Sequence, residues 1–202
     1  ITNAKLASDL ISGETDIGGA IADADLFLLD DGAGGTLRKT AASRIKTYVG
    51  SGLSEADMWR ITASTSGATG IFSSNWERAD TYSYDKLGTG MTESSGVFTF
   101  PSTGHYRVTF IGGFNGADVA YVGLMIKVTV NNSDYNQYAL TTTSLDTAGD
   151  ETFAYTEAII DVTNTTNVKV RFEQTNPGTS GSWVGDTNNQ RTGATFIRLG
   201  DT

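Results

Sequence analysis

Gly96-Val97-Phe98-Thr99-Phe100-Pro101-Ser102-Thr103-Gly104-His105-Tyr106-Arg107-Val108-Thr109-Phe110 reads as a short strand, a tight turn and a longer strand. Before the turn, Phe98 and Phe100 alternate with Val97 and Thr99. After it, Tyr106, Val108 and Phe110 fall on one face, and Arg107 and Thr109 on the other. Such alternation marks a half-buried strand, because successive side chains point to opposite sides of a sheet. Pro101 has no N–H for a sheet ladder and so ends the first strand. Gly104 supplies the backbone freedom of the turn.

The same rhythm extends outward. Upstream, Trp59-Arg60-Ile61-Thr62-Ala63 reads as a strand, and Gly70 to Lys86 is loop-rich, with Phe72, Trp76, Tyr82 and Tyr84 as expected anchors. Downstream, Tyr121 to Val130 sets Val122, Leu124, Ile126, Val128 and Val130 on one face. Tyr135 to Thr143, Thr152 to Val162, Val168 to Gln174 and Thr192 to Leu199 are further strands. Asn131 to Asp134 and Asn164 to Asn167 are turns, and Asn176 to Arg191 is a long polar loop with one aromatic, Trp183. Many short strands at regular spacing predict a sandwich or barrel.

The strand ending Phe98-Thr99-Phe100-Pro101, with Gly104 two residues before the aromatic strand at Tyr106, resembles the globular head of complement component 1q. That family belongs to the tumour-necrosis-factor-like jelly rolls. Its pattern continues in order through Tyr121-Val122-Gly123-Leu124-Met125-Ile126, Val168-Lys169-Val170-Arg171-Phe172 and Gly193-Ala194-Thr195-Phe196-Ile197-Arg198-Leu199. The ordered set carries the resemblance, from Met58 to the C-terminus. It implies a mainly β, antiparallel jelly-roll sandwich and a homotrimer.

The 202 residues suffice for one such head plus a smaller N-terminal part. A hydrophobic fraction of 38% allows a packed core. With Gly at 24 and Pro at 2, no collagen-like stalk lies within the chain. The net charge of −9 opposes nucleic acid and anionic membranes, so neither is an expected partner. Cys is 0, so no disulfide can be built and redox logic indicates no compartment. No apolar run is long enough to cross a bilayer, and no stretch reads as a signal peptide. Starting at Ile1 rather than Met, the chain is expected to be a piece of something longer.

The organisation expected is a stalk segment over 1–22, a hairpin plus short helix over 23–52 and the jelly-roll head over 57–202. In the stalk, Leu6, Leu10, Ile11, Ile17 and Ile21 are too sparse for a core, which predicts order only with partner chains. Asp25-Leu26-Phe27-Leu28-Leu29-Asp30 and Thr36-Leu37-Arg38-Lys39-Thr40 flank a Gly-rich turn, a hairpin signature. Ala41 to Gly50 reads as a helix with Thr40 as N-cap and Ala42, Ile45 and Val49 on one face. This unit, through Asp31-Gly32-Ala33-Gly34-Gly35-Thr36-Leu37-Arg38-Lys39-Thr40 and the following Ser43-Arg44-Ile45-Lys46, resembles a module of bacteriophage tail-fibre and other virion proteins found just before a distal domain. Leu26, Leu28, Ile45 and Val49 are the expected trimer-interface residues.

Catalytic constellations are absent from the sequence pattern. One His, His105, and no Cys leave neither a Cys–His pair nor a multi-His zinc site within one chain. Asp30 and Asp31 are adjacent and would point to opposite faces of a strand. Asp146, Asp150 and Glu151 share one loop, but nothing places a partner carboxyl across a sugar. Calcium suits that oxygen-rich loop better than any other cofactor, yet the spacing of a calcium motif is incomplete, so a solvated acidic loop is the default. Gly32-Ala33-Gly34-Gly35 lacks the Lys-Ser/Thr of a phosphate cradle. Asn131 and Asn164 open glycosylation sequons, uninformative in a bacterial host.

Together these readings predict the distal part of a trimeric bacteriophage fibre, exposed outside the capsid, made in the bacterial cytoplasm and not an enzyme. Its expected partners are its own copies, other fibre or baseplate proteins, and a host surface glycan or protein. A head fibre or decoration protein without a receptor, and a polysaccharide-degrading tailspike tip, are the alternatives. In the resembled family the first strand leaves the stalk and the last returns to it, which puts the loops 176–191, 145–151 and 115–119 at the far end. The receptor-binding candidates are therefore Trp183, Asp186, Asn188, Asn189, Arg191, Asp118, Asp146 and Asp150. An aromatic face beside amides and charges suits sugar or protein recognition, although Trp183 could equally pin its loop to the barrel.

Overall fold

Alternation becomes burial only where a second layer covers the apolar face, and the two parts of this chain differ in that respect. The structure is a computed structural model and describes residues 18–30, 32, 37–49, 52–66, 69–116, 119–175 and 181–202. The chain divides into two compact units, Ile1–Gly52 and Leu53–Thr202.

In the first unit, β1 (Leu26–Asp30) pairs antiparallel with β2 (Leu37–Ala41), and α1 (Ala42–Val49) follows directly. The register sets Leu26 opposite Ala41 and Leu28 opposite Lys39, so Phe27 and Leu29 occupy the other face. The helix begins at Ala42, which moves the N-cap from the expected Thr40 to Ala41. Its first amides are satisfied by backbone instead: Ala42 N–H donates to Asp25 O at 2.8 Å and Ser43 N–H to Asp23 O at 3.2 Å. A shallow groove of about 280 Å³ runs between Ile21, Phe27, Ala42, Ile45 and Val49. The expected turn at Asp31 and 33–36, and the segment 1–17, lie outside the described residues.

The second unit is a two-sheet sandwich. Its strands, in order, are β3 (Ala56–Ile61), β4 (Thr65–Ser66), β5 (Gly70–Ile71), β6 (Trp76–Arg78), β7 (Thr92–Ser94), β8 (Val97–Thr99), β9 (Gly104–Asn115), β10 (Val119–Thr129), β11 (Asn136–Leu145), β12 (Glu151–Val162), β13 (Lys169–Thr175), β14 (Ser182–Trp183) and β15 (Thr192–Gly200). One sheet runs β11-β10-β13-β8-β7, with β5 also on β13. In the other, β9 pairs with β12 along its whole length on one edge. Its other edge therefore takes β15 and, beyond the end of β15, β14, which continues to β4; β15 pairs β3, and β3 pairs β6.

The stretch 96–110 does not close a hairpin. β8 pairs with β7 and β13, and β9 with β12, β14 and β15, so the turn at 100–103 carries the chain from one sheet to the other. The Tyr106 hydroxyl bonds Ser102 Oγ at 2.8 Å across this turn, and its ring packs 4.7 Å from Phe100. Gly104 takes φ +138, and a Cβ there would stand 2.5 Å from Gly200 O. Phe98, Phe100, Tyr106, Val108 and Phe110 are all buried. Between the sheets, Phe110 and Phe172 lie 4.6 Å apart, and Phe98 meets Phe172 at 5.4 Å and Phe196 at 5.3 Å, in tilted and edge-on contacts aromatic rings prefer.

Several expectations change. Val130 follows the end of β10 and is exposed, because the strand stops before its face continues. Phe72 and Trp76 are packed, whereas Tyr82 and Tyr84 are exposed and anchor nothing. His105 stands on β9, and its Nδ1 bonds Asp201 O at 2.9 Å.

Candidate interaction surfaces

The strand registers divide the head into two ends. Asn115 of β9 lies opposite both Glu151 and Ser182, and Val119 opposite Leu145. The described parts of the connections, Gly116, 146–150 and 184–191, therefore share one end, and Gly149 N–H donates to Gly116 O at 2.7 Å between two of them. At the other end Gly104 faces Val162, Ala56 faces Ile197, and Asn132 N–H donates to Asn167 O at 3.0 Å. β3 thus begins at Ala56 and β15 ends at Gly200 at the end opposite these loops.

At the loop end the sequence candidates separate. Trp183 is fully buried, which corrects its reading as a contact face. It wedges into the sandwich, 5.2 Å from Phe114 and 6.3 Å from Phe72. The missing side chain of Gly112 makes the room, since a Cβ there would lie 2.7 Å from the Trp183 ring. Arg191 is not free either: its guanidinium is paired with Glu151 and lies 5.8 Å over the Phe153 ring. Asp146 and Asp150 are exposed in their loop, and Asp118 lies outside the described residues. Among the described residues no group of three or more His, Asp or Glu is placed to hold a metal ion.

Asp186, Asn188 and Asn189 form one tight turn. The Asp186 carboxylate accepts from Asn188 N at 2.6 Å, Asn189 N at 2.8 Å and Asn189 Nδ2 at 3.3 Å. The backbone amide of Asn188 first, then those of Asn189, hold the Asp186 carboxyl below the usual carboxylate range. The segment is stitched down by Val184 N–H to Gly113 O, Gly185 N–H to Ser64 Oγ and Asp186 N–H to Ile61 O, at 2.7, 3.2 and 2.9 Å.

A second cluster, not foreseen, lies beside it. Arg60 is 1% exposed and donates to Glu77 at 3.0 Å, Thr81 Oγ1 at 2.8 Å and Asp80 at 3.1 Å. A buried guanidinium needs such partners, since an unpaired one carries a desolvation cost of several kcal/mol, on the order of 3–5. Asp57, also buried, holds Arg78, the Trp59 indole N–H and Met91 N–H at 3.0, 2.9 and 2.7 Å. These two networks fasten the irregular 77–91 segment to β3.

The outer face of the β12–β9–β15 sheet is the largest feature the sequence reading missed. Phe153, Tyr155 and Ile159 alternate along β12 and are all exposed, beside Ile111 of β9 and Ile197 of β15. In its middle the Arg107 guanidinium meets Glu157 at 2.7 Å, and the Tyr155 hydroxyl also donates to Glu157. The Tyr155 hydroxyl, then Arg107, pull the Glu157 carboxyl below its ordinary range. A strand with both alternate rows apolar is the signal that was available, since the inward row of β12 (Ala154, Ile160, Val162) is buried as well.

No family model matches the sequence, and no curated protein matches it. Solved structures do. The chain is similar to murine APRIL in its pH 5.0 crystal structure, with TM-score 0.54 and 10% identity over 72% of this chain and 98% of that one. It is similar to Eiger TNF from S. frugiperda with TM-score 0.56 and 13% identity, over 75% of this chain and 96% of that one. The fold is a tumour-necrosis-factor-like jelly roll, as the ordered strand set implied.

Proposed function

We propose that this chain is the distal part of a trimeric bacteriophage fibre, a virion structural protein whose head attaches to the host cell surface. The observation that carries the attachment reading is the two-ended head: β3 begins and β15 ends at one end, and Gly116 and the loops 146–150 and 184–191 gather at the other. A tethered domain meets its target with the end away from its tether.

Self-association is supported by exposed apolar surface in both units. Phe153, Tyr155 and Ile159 on the head, and Leu26, Leu28, Ile45 and Val49 on the hairpin–helix unit, are exposed in the single chain. Exposed large apolar side chains grouped in rows such as Phe153, Tyr155 and Ile159 mark association sites, and threefold packing of like faces is the arrangement the jelly-roll resemblance implies. The bacteriophage assignment rests on the likeness of residues 31–46 to the module of virion fibres. The acidic surface, net −9, favours a glycan or protein target over nucleic acid.

Light scattering tests the assembly: a mass three times 21.4 kDa supports the reading, and a monomer at micromolar concentration overturns it. Adsorption of the labelled chain to bacterial cells tests attachment, and its absence across a broad panel of cells overturns that part.

A further inference from the structure

We propose that the turn bearing Tyr82, together with the Asp186–Asn189 turn, forms a binding subsite for a neutral glycan. The inference rests on the attachment reading above and names the chemistry of its target.

Tyr82 is 86% exposed, the most exposed aromatic among the described residues of the head. Its backbone sits at φ +59, a left-handed conformation that a bulky L-residue rarely adopts. Such a residue persists only where its surroundings over-determine it. Here they do: the buried Arg60 guanidinium grips Asp80 and Thr81 immediately before it, and Tyr84 N–H donates to Thr81 O at 3.2 Å immediately after. The ring is thus displayed on a stiff turn instead of being folded onto the sandwich.

The Thr81 hydroxyl donates to Asn188 O at 3.3 Å and joins this turn to the next one. There the Asp186 carboxylate fixes the backbone of Asn188 and Asn189. Asn188 is exposed, and its side-chain amide has no partner among the described residues. An exposed ring offers a flat apolar face to the C–H side of a sugar, and an adjoining amide offers both a donor and an acceptor to its hydroxyls. Glu77 and Asp80 are paired with Arg60 beneath them and Asp186 feels Arg191, so the three carboxylates outnumber the two guanidiniums and leave the rim acidic by one charge. That balance repels phosphate-bearing or acidic saccharides and selects a neutral one.

The test uses the full chain on bacterial cells that it adsorbs to, before and after periodate oxidation of surface glycans and, separately, after proteinase treatment. Periodate is expected to abolish adsorption, and proteinase to leave it intact. Tyr82→Gly removes the ring while relieving the positive φ, so the fold is kept. It should weaken adsorption about tenfold with an unchanged melting curve. Asn188→Ala should weaken it roughly fivefold, and Tyr82→Phe should retain it. Adsorption that survives periodate but not proteinase overturns the inference in favour of a protein target. Parent-like adsorption by Tyr82→Gly and Asn188→Ala overturns it while leaving attachment standing, whereas a parent chain that adsorbs to no cells overturns both.

Discussion

The hairpin of the first unit and the strands of the head carry the same kind of apolar pattern and meet opposite fates. Phe98, Val108, Phe110 and Phe172 disappear between two sheets. Leu26 and Leu28 remain 61% and 64% exposed, because two short strands and an eight-residue helix offer no second layer. An isolated hairpin is marginal in water, and three or more strands or a covering layer are needed for independent stability. The same pattern thus builds a self-sufficient core in one place and an exposed apolar surface in the other.

The largest expected effect would break this contrast most directly. Phe172→Ala removes a ring that meets Phe110 at 4.6 Å, Phe98 at 5.4 Å and Trp76 at 5.5 Å. It should cost the head about 3–5 kcal/mol and lower its melting temperature on the order of 10 °C. Gly112→Ala comes next: the new methyl strikes the Trp183 ring from 2.7 Å and Leu124 from 3.0 Å, for a loss of about 1–3 kcal/mol in the same melting experiment.

Leu28→Ser should leave the melting of the head within about 0.5 kcal/mol of the parent, since it lies on an exposed face of the other unit. Its effect belongs in the sedimentation profile, as a smaller fraction of the proposed trimer. If the head itself melts earlier, the two units are not energetically separate.

The smallest effect is a pH dependence. Asp186 has its folded pKa lowered by the Asn188 and Asn189 amides, so its contribution is fully present above the ordinary carboxylate range of about 4. It fades as pH falls through the lowered folded value. Amide exchange at Asn188 and Asn189 should accelerate on acidification below that range, and Asp186→Asn should flatten the dependence. Unchanged exchange in both would mean the turn is held by its stitches to β3 and β9 alone.

The head was legible because β-strand alternation is local. Val122, Leu124, Ile126 and Val128 announce their buried face by spacing two apart, and the turns at 131–134 and 164–167 announce themselves by Asn, Ser, Thr and Asp. The loop residues were less legible. Asp186, Asn188 and Asn189 do form one exposed-edge turn, but Tyr82, expected to anchor its loop, stands exposed, and of the two roles open to Trp183 the buried pin is the one it takes. Nothing in a polar loop tells which of its aromatics finds a hole.

The amino-acid sequence by itself determined the succession of the long strands, the inward rows of β9, β10 and β13, and the hairpin–helix of the first unit, because each depends on residues within a few positions of one another; the short β5, β6 and β14 lie in stretches that read as loop. Only the tertiary structure decided what those rows meet. It put β8 and β9 in different sheets, opened the space over Gly112 that takes Trp183, and placed Glu77, Asp80 and Thr81 around Arg60 so that Tyr82 stands outward. It also left the Phe153–Ile159 row of β12 without a covering layer. Each of these is a meeting between residues far apart in the chain, set by volume and charge at the contact, and no local pattern carries that information.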